Sequence, residues 1–398
     1  MRALKVFILK FINFLVPKNK NYIYASPISN CKSDKYDLLN YSADSLLSFI
    51  RYLLDNYIGT RKHIFLETHF NERIPLYKDA VKDFKNITFT FLKCNSKKGK
   101  VKKGNIFKMF RCKTLMFEPI DSCRPYILKR QNTVCLCYFS TFKNDSGTVN
   151  YNTIYKDWTF ICSTSEIDSK LKSESHYVPF KAFYSVGLTR NDNLFKSSPK
   201  KDVEIRQLLT KQYGNDFKKI ILYAPTFRDI NTDIKNPIMF DGVEELNDFL
   251  KDINAILIVK THPWKDDKYF SNGNTRIVPY IPTFDYSFYD LMKISDVLIS
   301  DYSSISIDYL LLDKPIIYFM YDIDDYMKMR GLAYKPYEDY CGGQVVYNSK
   351  DLVGSIAEAL SKDSYKTKRT EVRNIAFKYY DDKTCKRVYD LLVKDRIL

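Results

Sequence analysis

Four short apolar runs in the second half of the chain each stop at a group of polar residues. Ile220 to Ala224 runs into Pro225-Thr226-Phe227-Arg228-Asp229. Ala255 to Val259 runs into Lys260-Thr261-His262-Pro263. Val297 to Ile299 runs into Ser300-Asp301-Tyr302-Ser303-Ser304, and Lys314 to Phe319 into Tyr321-Asp322. Continuous apolar strands separated by helical stretches imply a parallel sheet covered on both faces. In such sheets ligands bind beyond the carboxyl ends of the strands. The Arg, Lys, His and Ser residues fall at those ends, so the pattern predicts both a fold and a place for a site.

The stretch Ser300 to Tyr309 is the most specific of the four. A strand that ends in a polar turn and opens a helix suits an anion, because the first helical N–H groups have no partner inside the helix. Hydroxyl side chains there either cap the helix or face the ligand. Both roles are open to Ser303 and Ser304, and His262 is open to a capping or core role as well as to a ligand contact.

Read together, Ala224 to Asp229, Lys260 to Pro263 and Ser300 to Ser304 resemble the CDP-glycerol glycerophosphotransferases, which include teichoic-acid primases and polymerases and related capsule enzymes. The string Lys314-Pro315, Tyr318, Tyr321-Asp322, Tyr326, Arg330-Gly331 and Gly342-Gly343 continues the pattern in order. Gly187 to Asp192 is similar to the family's Gly-x-Pro-Arg-Asn-Asp, with Thr189 in place of proline. Asp382 to Arg387 resembles the family's final helix without its glycine. The resemblance spans residues from about 158 to 390. It fails at one point. The family carries Trp-His-Gly-Thr after a strand of its first domain, and that histidine is taken as the base acting on the acceptor hydroxyl. Here Thr133 to Cys137 leads into Tyr138-Phe139-Ser140-Thr141, which puts Phe139 in the place of the histidine.

A chain of 398 residues is comfortable for two domains. With 32 Tyr and 27 Phe it is rich enough in core-forming residues to exclude wholesale disorder. In the first half Tyr22 to Ala25, His63 to Glu67, Ile87 to Leu92, Thr114 to Phe117, Thr133 to Cys137 and Thr159 to Cys162 read as strands. Tyr41 to Tyr57 and Ser165 to Lys172 read as helices. The expectation is an α/β chain with two Rossmann-like domains facing across a cleft, the GT-B arrangement. Residues 21–190 would form the acceptor side and 191–380 the donor side. The polar segment Asn191 to Asp202 would be the hinge, and residues 381–398 a last helix that crosses back.

The formal net charge is +16, unevenly spread. Residues 1–20 hold Arg2, Lys5, Lys10, Lys18 and Lys20 and no acid. Leu4, Phe7, Ile8, Phe11, Ile12 and Leu15 recur there at helical spacing. That reads either as an interfacial helix on an anionic membrane or as a helix docked on the protein body. It is too short and too charged to span a bilayer, and it lacks the small-residue site of a cleaved signal peptide. A second basic block runs from Lys93 through Lys97, Lys98, Lys100, Lys102, Lys103, Lys108 and Arg111 to Lys113. It is a solvated loop or a seat for anionic lipid or a polyphosphate acceptor. No zinc-finger spacing, RNP-like motif or recognition helix supports nucleic acid as the partner.

Nine cysteines lie scattered with no Cys-x-x-Cys pair, as in reduced cytoplasmic proteins rather than disulfide frameworks. Cys135 and Cys137 would share one face of a strand. The four histidines have no zincin spacing, so no protein-bound metal is expected and no cofactor is required. A divalent cation carried by the donor pyrophosphate stays open. The location these features suit is cytoplasmic, peripheral at the inner face of a bacterial cell membrane.

The resemblance implies a reaction. An acceptor hydroxyl, on a lipid-linked or polymeric glycan, attacks the phosphate nearer the polyol of a CDP-polyol, and CMP leaves. The protein must hold the pyrophosphate, neutralise developing charge and align the hydroxyl. Ser303 and Ser304 would take the donor's phosphates. His262 would donate to the phosphate or to departing CMP, and Arg228 would add a two-pronged contact. Thr226 belongs to the same donor segment. Lys260 is a phosphate contact or a surface charge. Asp301 orients the turn, Asp308 holds polyol hydroxyls or is structural, and Arg330 with Gly331 contacts phosphate or polymer. On the acceptor side, beside Phe139, Ser140 and Thr141, His69 is the leading base and Glu67 the alternative, because a histidine can accept a proton near neutral pH. Two other classes stay open: a nucleotide-sugar glycosyltransferase on the same scaffold, and a donor-binding homologue that has lost catalysis.

Overall fold

The computed structural model describes residues 2–26, 44–68, 74–93, 103–118, 126–137, 156–196, 198–214, 216–226, 242–260, 276–281, 283, 285–329, 331–333 and 336–398. Among the described residues thirteen strands form two sheets. The first contains β1 (Asn19–Ser26), β2 (Lys62–Thr68), β3 (Ile87–Lys93), β4 (Cys112–Phe117), β5 (Asn132–Cys135), β6 (Phe160–Ser163) and β7 (Phe183–Ser185), in the order β3-β2-β1-β4-β5-β6-β7. The second contains β8 (Lys219–Ala224), β9 (Ala255–Val259), β10 (Ile277–Pro279), β11 (Val297–Ser300), β12 (Ile316–Phe319) and β13 (Gln344–Val346), in the order β10-β9-β8-β11-β12-β13. Neighbouring strands pair in parallel throughout both sheets.

The helices among the described residues are α1 (Arg2–Leu15), α2 (Ser45–Asn56), α3 (Ile74–Val81), α4 (Lys103–Arg111), α5 (Glu166–His176), α6 (Asp192–Phe195) and α7 (Pro199–Tyr213). They continue with α8 (Val243–Asp252), α9 (Phe288–Ile294), α10 (Ser304–Tyr309), α11 (Ile323–Met329), α12 (Lys350–Ser361), α13 (Lys366–Ala376) and α14 (Thr384–Lys394).

The second sheet shows why its strands read as unbroken apolar runs. Ile220, Leu222, Ile256, Ile258 and Leu298 pack into one core. The alternate residues Ile221, Tyr223, Leu257, Val259 and Ile299 pack into another on the opposite face. Successive side chains point to opposite faces, and helices cover both, so the central positions of these strands are apolar.

The strand expected at Thr133 to Cys137 is shorter. It stops at Cys135, and Cys137 takes a left-handed φ of 53°. The two sulfurs still meet, 3.7 Å apart and buried. Of the helix expected at Tyr41 to Tyr57, residues 41–43 lie outside the described residues. The observed α2 is capped by Asp44, whose side chain accepts from Leu47 N at 2.8 Å.

The chain passes between the sheets twice, and the two crossings are tied together. The Asp192 carboxylate accepts the backbone N–H of Thr384 at 2.9 Å and of Cys385 at 2.8 Å. Lys378 N donates to Thr164 O at 2.9 Å across the same junction. Residues 191–194, the start of the segment expected to be the hinge, are buried. Asp192 and Asn193 direct their side chains to protein partners rather than to solvent. Beyond the second crossing, Cys385, Val388, Leu392 and Ile397 pack into the core of the first sheet.

Helix α1 has two apolar faces. Leu9, Ile12 and Val16 pack on the first core. Asn13, fully buried, donates to Tyr126 O at 3.0 Å and to Gln131 Oε1 at 2.8 Å. On the other face Leu4, Phe7, Ile8, Phe11, Phe14 and Leu15 are 47–69% exposed. Docking and an outward apolar surface therefore coexist, with Ile12 on the docked side. No helix among the described residues is long and apolar enough to cross a membrane.

The glycine pair Gly342-Gly343 opens β13. A methyl group on Gly343 would lie 1.8 Å from the carbonyl oxygen of Ile316, the first residue of β12. Gly343→Ala should therefore lower stability by about 3 kcal/mol, since backbone must move to admit it. Gly214→Ala, at a left-handed φ of 68° with open space around it, should lose only about 1 kcal/mol. Urea denaturation of both variants checks this, and similar losses would contradict the close approach.

Candidate active site

The polar ends of β8 and β11 are locked to each other. Ser300 Oγ donates to Ala224 O at 2.8 Å. Asp301, with no exposed surface, accepts Thr226 N at 2.7 and 2.9 Å and Thr226 Oγ1 at 2.6 Å. Thr226 and Asp301, just after the two strands, are thus tied to each other. Asp301 orients the turn. Thr226 spends its amide and hydroxyl on that carboxylate.

Ser303 sits at the N-cap position of α10 in extended conformation. Its hydroxyl makes no capping bond. Its carbonyl instead accepts Ser306 N at 3.1 Å and Ser306 Oγ at 2.7 Å. Of the two roles open to this hydroxyl, capping is not the one realised. Ser303 and Ser304 are both partly exposed. Beneath them the buried ring of Tyr302 stacks on Tyr326, 3.8 Å between centroids, and its hydroxyl donates to Asp322 at 3.3 Å. This pair joins the turn after β11 to α11. Gly331 closes that helix, at φ 75° with its N–H on Tyr326 O at 3.2 Å.

Lys260 follows β9, with its amide on Tyr223 O at 2.8 Å and its ammonium 5.4 Å from the Phe288 ring centroid. Thr226, Lys260, Asp301, Ser303 and Ser304 thus share the carboxyl-end edge of one sheet. Asp308 does not face that edge. It is buried and taken up by Arg190 and Tyr289: Arg190 Nη2 lies 2.8 Å from Asp308 Oδ2, and Arg190 Nε donates to the Tyr289 hydroxyl at 2.6 Å. Its contacts with both residues fall on Oδ2, and Oδ1 has no hydrogen-bond partner among the described residues. His69, Phe139, Ser140, Thr141, Arg228, His262 and Arg330 lie outside the described residues.

On the first sheet, Glu67, one residue before the end of β2, has both oxygens engaged, Oε1 by Tyr24 Oη at 2.5 Å and Oε2 by Ser26 Oγ at 2.6 Å. Two carboxyl groups the sequence reading did not single out lie close by. Glu118, just after β4, is fully buried and accepts Ser45 N at 2.7 Å. It also shares a hydrogen bond with Asp44, the cap of α2. Burial first, and then the Asp44 charge and hydrogen bond, push the Glu118 carboxyl well above its usual range, while Ser45 N–H and Arg190 pull the other way. Burial and the neighbouring Asp44 carboxyl thus both favour the protonated form of Glu118. No local pattern marks these residues, because residues 44 and 118 meet only in the folded sheet. Arg190 did lie in a singled-out string, Gly187 to Asp192, but its partners were not deducible from spacing. Among the described residues no group of three or more His, Cys, Asp or Glu side chains could hold a metal.

A family model described as CDP-Glycerol:Poly(glycerophosphate) glycerophosphotransferase matches residues 99–394. The chain belongs to this family. It is 32% identical over 272 residues to the teichoic acid glycerol-phosphate primase of Bacillus subtilis, covering 63% of this chain and 66% of the relative. It is 30% identical over 250 residues to the teichoic acid poly(ribitol-phosphate) polymerase of Bacillus spizizenii, covering 60% and 38%. The chain thus spans less than two thirds of the length of either relative. Among solved structures it superposes on the wall teichoic acid polymerase TagF with a TM-score of 0.71 at 18% identity, covering 99% of this chain and 96% of TagF. A UDP-N-acetylglucosamine 2-epimerase follows at 0.54 and 12%, covering 95% and 96%. The architecture is of the GT-B type, with two Rossmann-like domains facing across a cleft.

The carboxyl pair makes a pH prediction. A carboxyl whose folded pKa is raised stabilises fully below its unfolded value, 4.5 here, and loses that contribution as pH climbs toward the folded value. Glu118→Gln is neutral at every pH and can still donate to Asp44. Its stability relative to the parent should therefore rise as pH climbs above about 4.5. Urea denaturation over a series of pH values above that point measures the difference, and a constant difference would mean that the fold does not raise the Glu118 carboxyl.

Proposed function

We propose that the chain transfers a polyol phosphate, with glycerol phosphate first in line, from a CDP-activated donor to a hydroxyl of a teichoic-acid, capsule or other cell-surface glycan acceptor, releasing CMP. The observation that carries this reading is the family match over residues 99–394, which includes the whole donor-side sheet and its linked strand ends. A structure of TagF soaked with CDPG supports the donor class.

Ser303, Ser304 and the opening amides of α10 receive the donor's phosphates. Lys260 supplies positive charge at the neighbouring strand end. His262, two residues further along, donates to the phosphate or to the leaving CMP, and Arg228 forks onto a phosphate oxygen. The attacking oxygen forms its bond to the phosphorus nearer the polyol as the bond to the CMP oxygen breaks, and its proton passes to a base. Glu67 already accepts two hydroxyl hydrogens, which leaves His69 as the first candidate for that base. Phe139 provides an aromatic wall on the acceptor side, suited to the face of a sugar. A non-catalytic homologue is the second reading, and Phe139 in the place of the family's histidine is what favours it.

The exposed apolar face of α1, flanked by lysines and arginine, would lie on an anionic lipid surface at the inner face of the cell membrane. Basic residues Lys108, Arg111 and Lys113 would add to that attraction.

Release of CMP is the deciding measurement, across a panel of CDP-glycerol, CDP-ribitol and sugar nucleotides. Turnover with a CDP-polyol and none with sugar nucleotides is expected. Donor binding without turnover across acceptors would favour the non-catalytic reading. His262→Ala should lower CMP release by roughly 100-fold or more. Ser303→Ala with Ser304→Ala should weaken donor binding, and parent-like behaviour in both would reject this donor site. Phe7→Ala with Phe11→Ala, which leaves the docked face of α1 intact, should reduce binding to anionic vesicles without changing donor affinity. Added salt should weaken that association too. Equal binding to neutral and anionic vesicles would remove the electrostatic part.

A further inference from the structure

We propose that Arg190 is a positioning residue: its guanidinium holds α10 of the second domain against the first, and so sets where a donor phosphate on Ser303 and Ser304 stands relative to the acceptor hydroxyl. The inference rests on the transfer reaction proposed above.

Arg190 belongs to both domains at once. The residue before it, Thr189, is pinned to the first: its hydroxyl donates to Ser45 O at 2.5 Å, at the start of α2. The guanidinium is pinned to the second through Tyr289 on α9 and Asp308 on α10, at 2.6 and 2.8 Å. The Tyr289 hydroxyl also donates to Asp308 Oδ2, so three directional bonds close a triangle. Asp308 lies four residues after Ser304, one helical turn along the same short helix. Any shift of Asp308 carries Ser304 with it.

Such a buried ion pair is a poor way to hold two domains together. Apolar residues of equal volume do that as well or better, because the charges must be stripped of water. What the triangle adds is direction. A planar guanidinium bonded at Nε and Nη2 fixes an angle as well as a distance, and a lysine cannot reproduce both contacts. Transfer between two substrates held on different domains depends on that angle. A misplacement of about 1 Å costs roughly 100-fold in rate.

The test uses Arg190→Lys and the milder Tyr289→Phe in the full chain. Three quantities are measured: CDP-glycerol affinity by calorimetry, CMP release divided between transfer and hydrolysis, and amide hydrogen exchange over residues 304–309. In hydrolysis water replaces the acceptor hydroxyl, giving glycerol phosphate and CMP. For Arg190→Lys the kcat of transfer should fall roughly 100-fold. Donor Kd and KM should stay within about threefold of the parent. The hydrolytic share should rise, and exchange over 304–309 should quicken. Tyr289→Phe should shift each quantity the same way by less. Unchanged kcat, or a fall that only tracks lost donor affinity or lost fold, overturns the inference. If the parent releases no CMP from CDP-glycerol, the transfer reading fails. Exchange then decides alone, and parent-like exchange over 304–309 in both variants overturns the positioning role.

Discussion

Burying a guanidinium completely is costly unless every direction it points in is answered. Arg190 sits where the chain first passes from one sheet to the other, and the elements on either side are arranged to answer it. Asp308 and Tyr289, both from the second domain, are its nearest partners. Burial opposes its charge, but these partners outweigh burial and push its pKa well above the ordinary value. It stays a cation at any pH the fold survives. Two residues later Asp192 joins the first crossing to the second through Thr384 and Cys385. The relation of the sheets thus depends on polar contacts in a place where apolar packing would serve stability alone.

The sheets themselves were legible because they obey a local rule. A strand buried on both faces is apolar through its centre, so Ile220 to Ala224 and Ala255 to Val259 announce themselves. Where the rule is relaxed, boundaries slipped. Cys137 is as apolar as its neighbours, yet the backbone turns left-handed there. Hydropathy carries no sign of φ. Asn191 to Leu194 failed for the opposite reason. A run of polar residues looks like solvated hinge, but these residues are buried, and Asp192 and Asn193 hydrogen-bond to protein groups instead of water. Composition does not distinguish polarity that meets water from polarity that meets protein.

The donor-side edge was readable for the same reason as the strands. Parallel sheets collect their ligand contacts at strand carboxyl ends, so Thr226, Lys260, Asp301, Ser303 and Ser304 could be placed on one edge before any contact was known. The division of labour among them could not. That Asp301 serves Thr226, that Ser303 leaves its hydroxyl out of the cap and that Asp308 serves Arg190 are facts of three-dimensional neighbourhood. Asp44 and Glu118 were beyond reach altogether, since two isolated acids separated by the span from α2 to β4 look like ordinary surface charge.

Helix α1 adds a constraint on how an acceptor could reach the cleft. Its docked residue Asn13 meets Tyr126 and Gln131, and Arg130 donates to the carbonyls of Asn13 and Val16 at 3.3 and 3.4 Å. All three partners precede β5, and α1 itself leads into the start of β1. These contacts belong to the amino-terminal end of the first sheet, whereas the ends facing Arg190 and the second domain are the carboxyl ends. The strands between are up to eight residues long, or about 25 Å at the rise of a parallel strand. A lipid surface under α1 would therefore stand at the far end of the sheet from the reacting groups. An acceptor rooted in that surface needs a spacer of comparable length before its hydroxyl meets a phosphate on α10. Extended, lipid-linked glycans satisfy that requirement, and compact lipid headgroups do not.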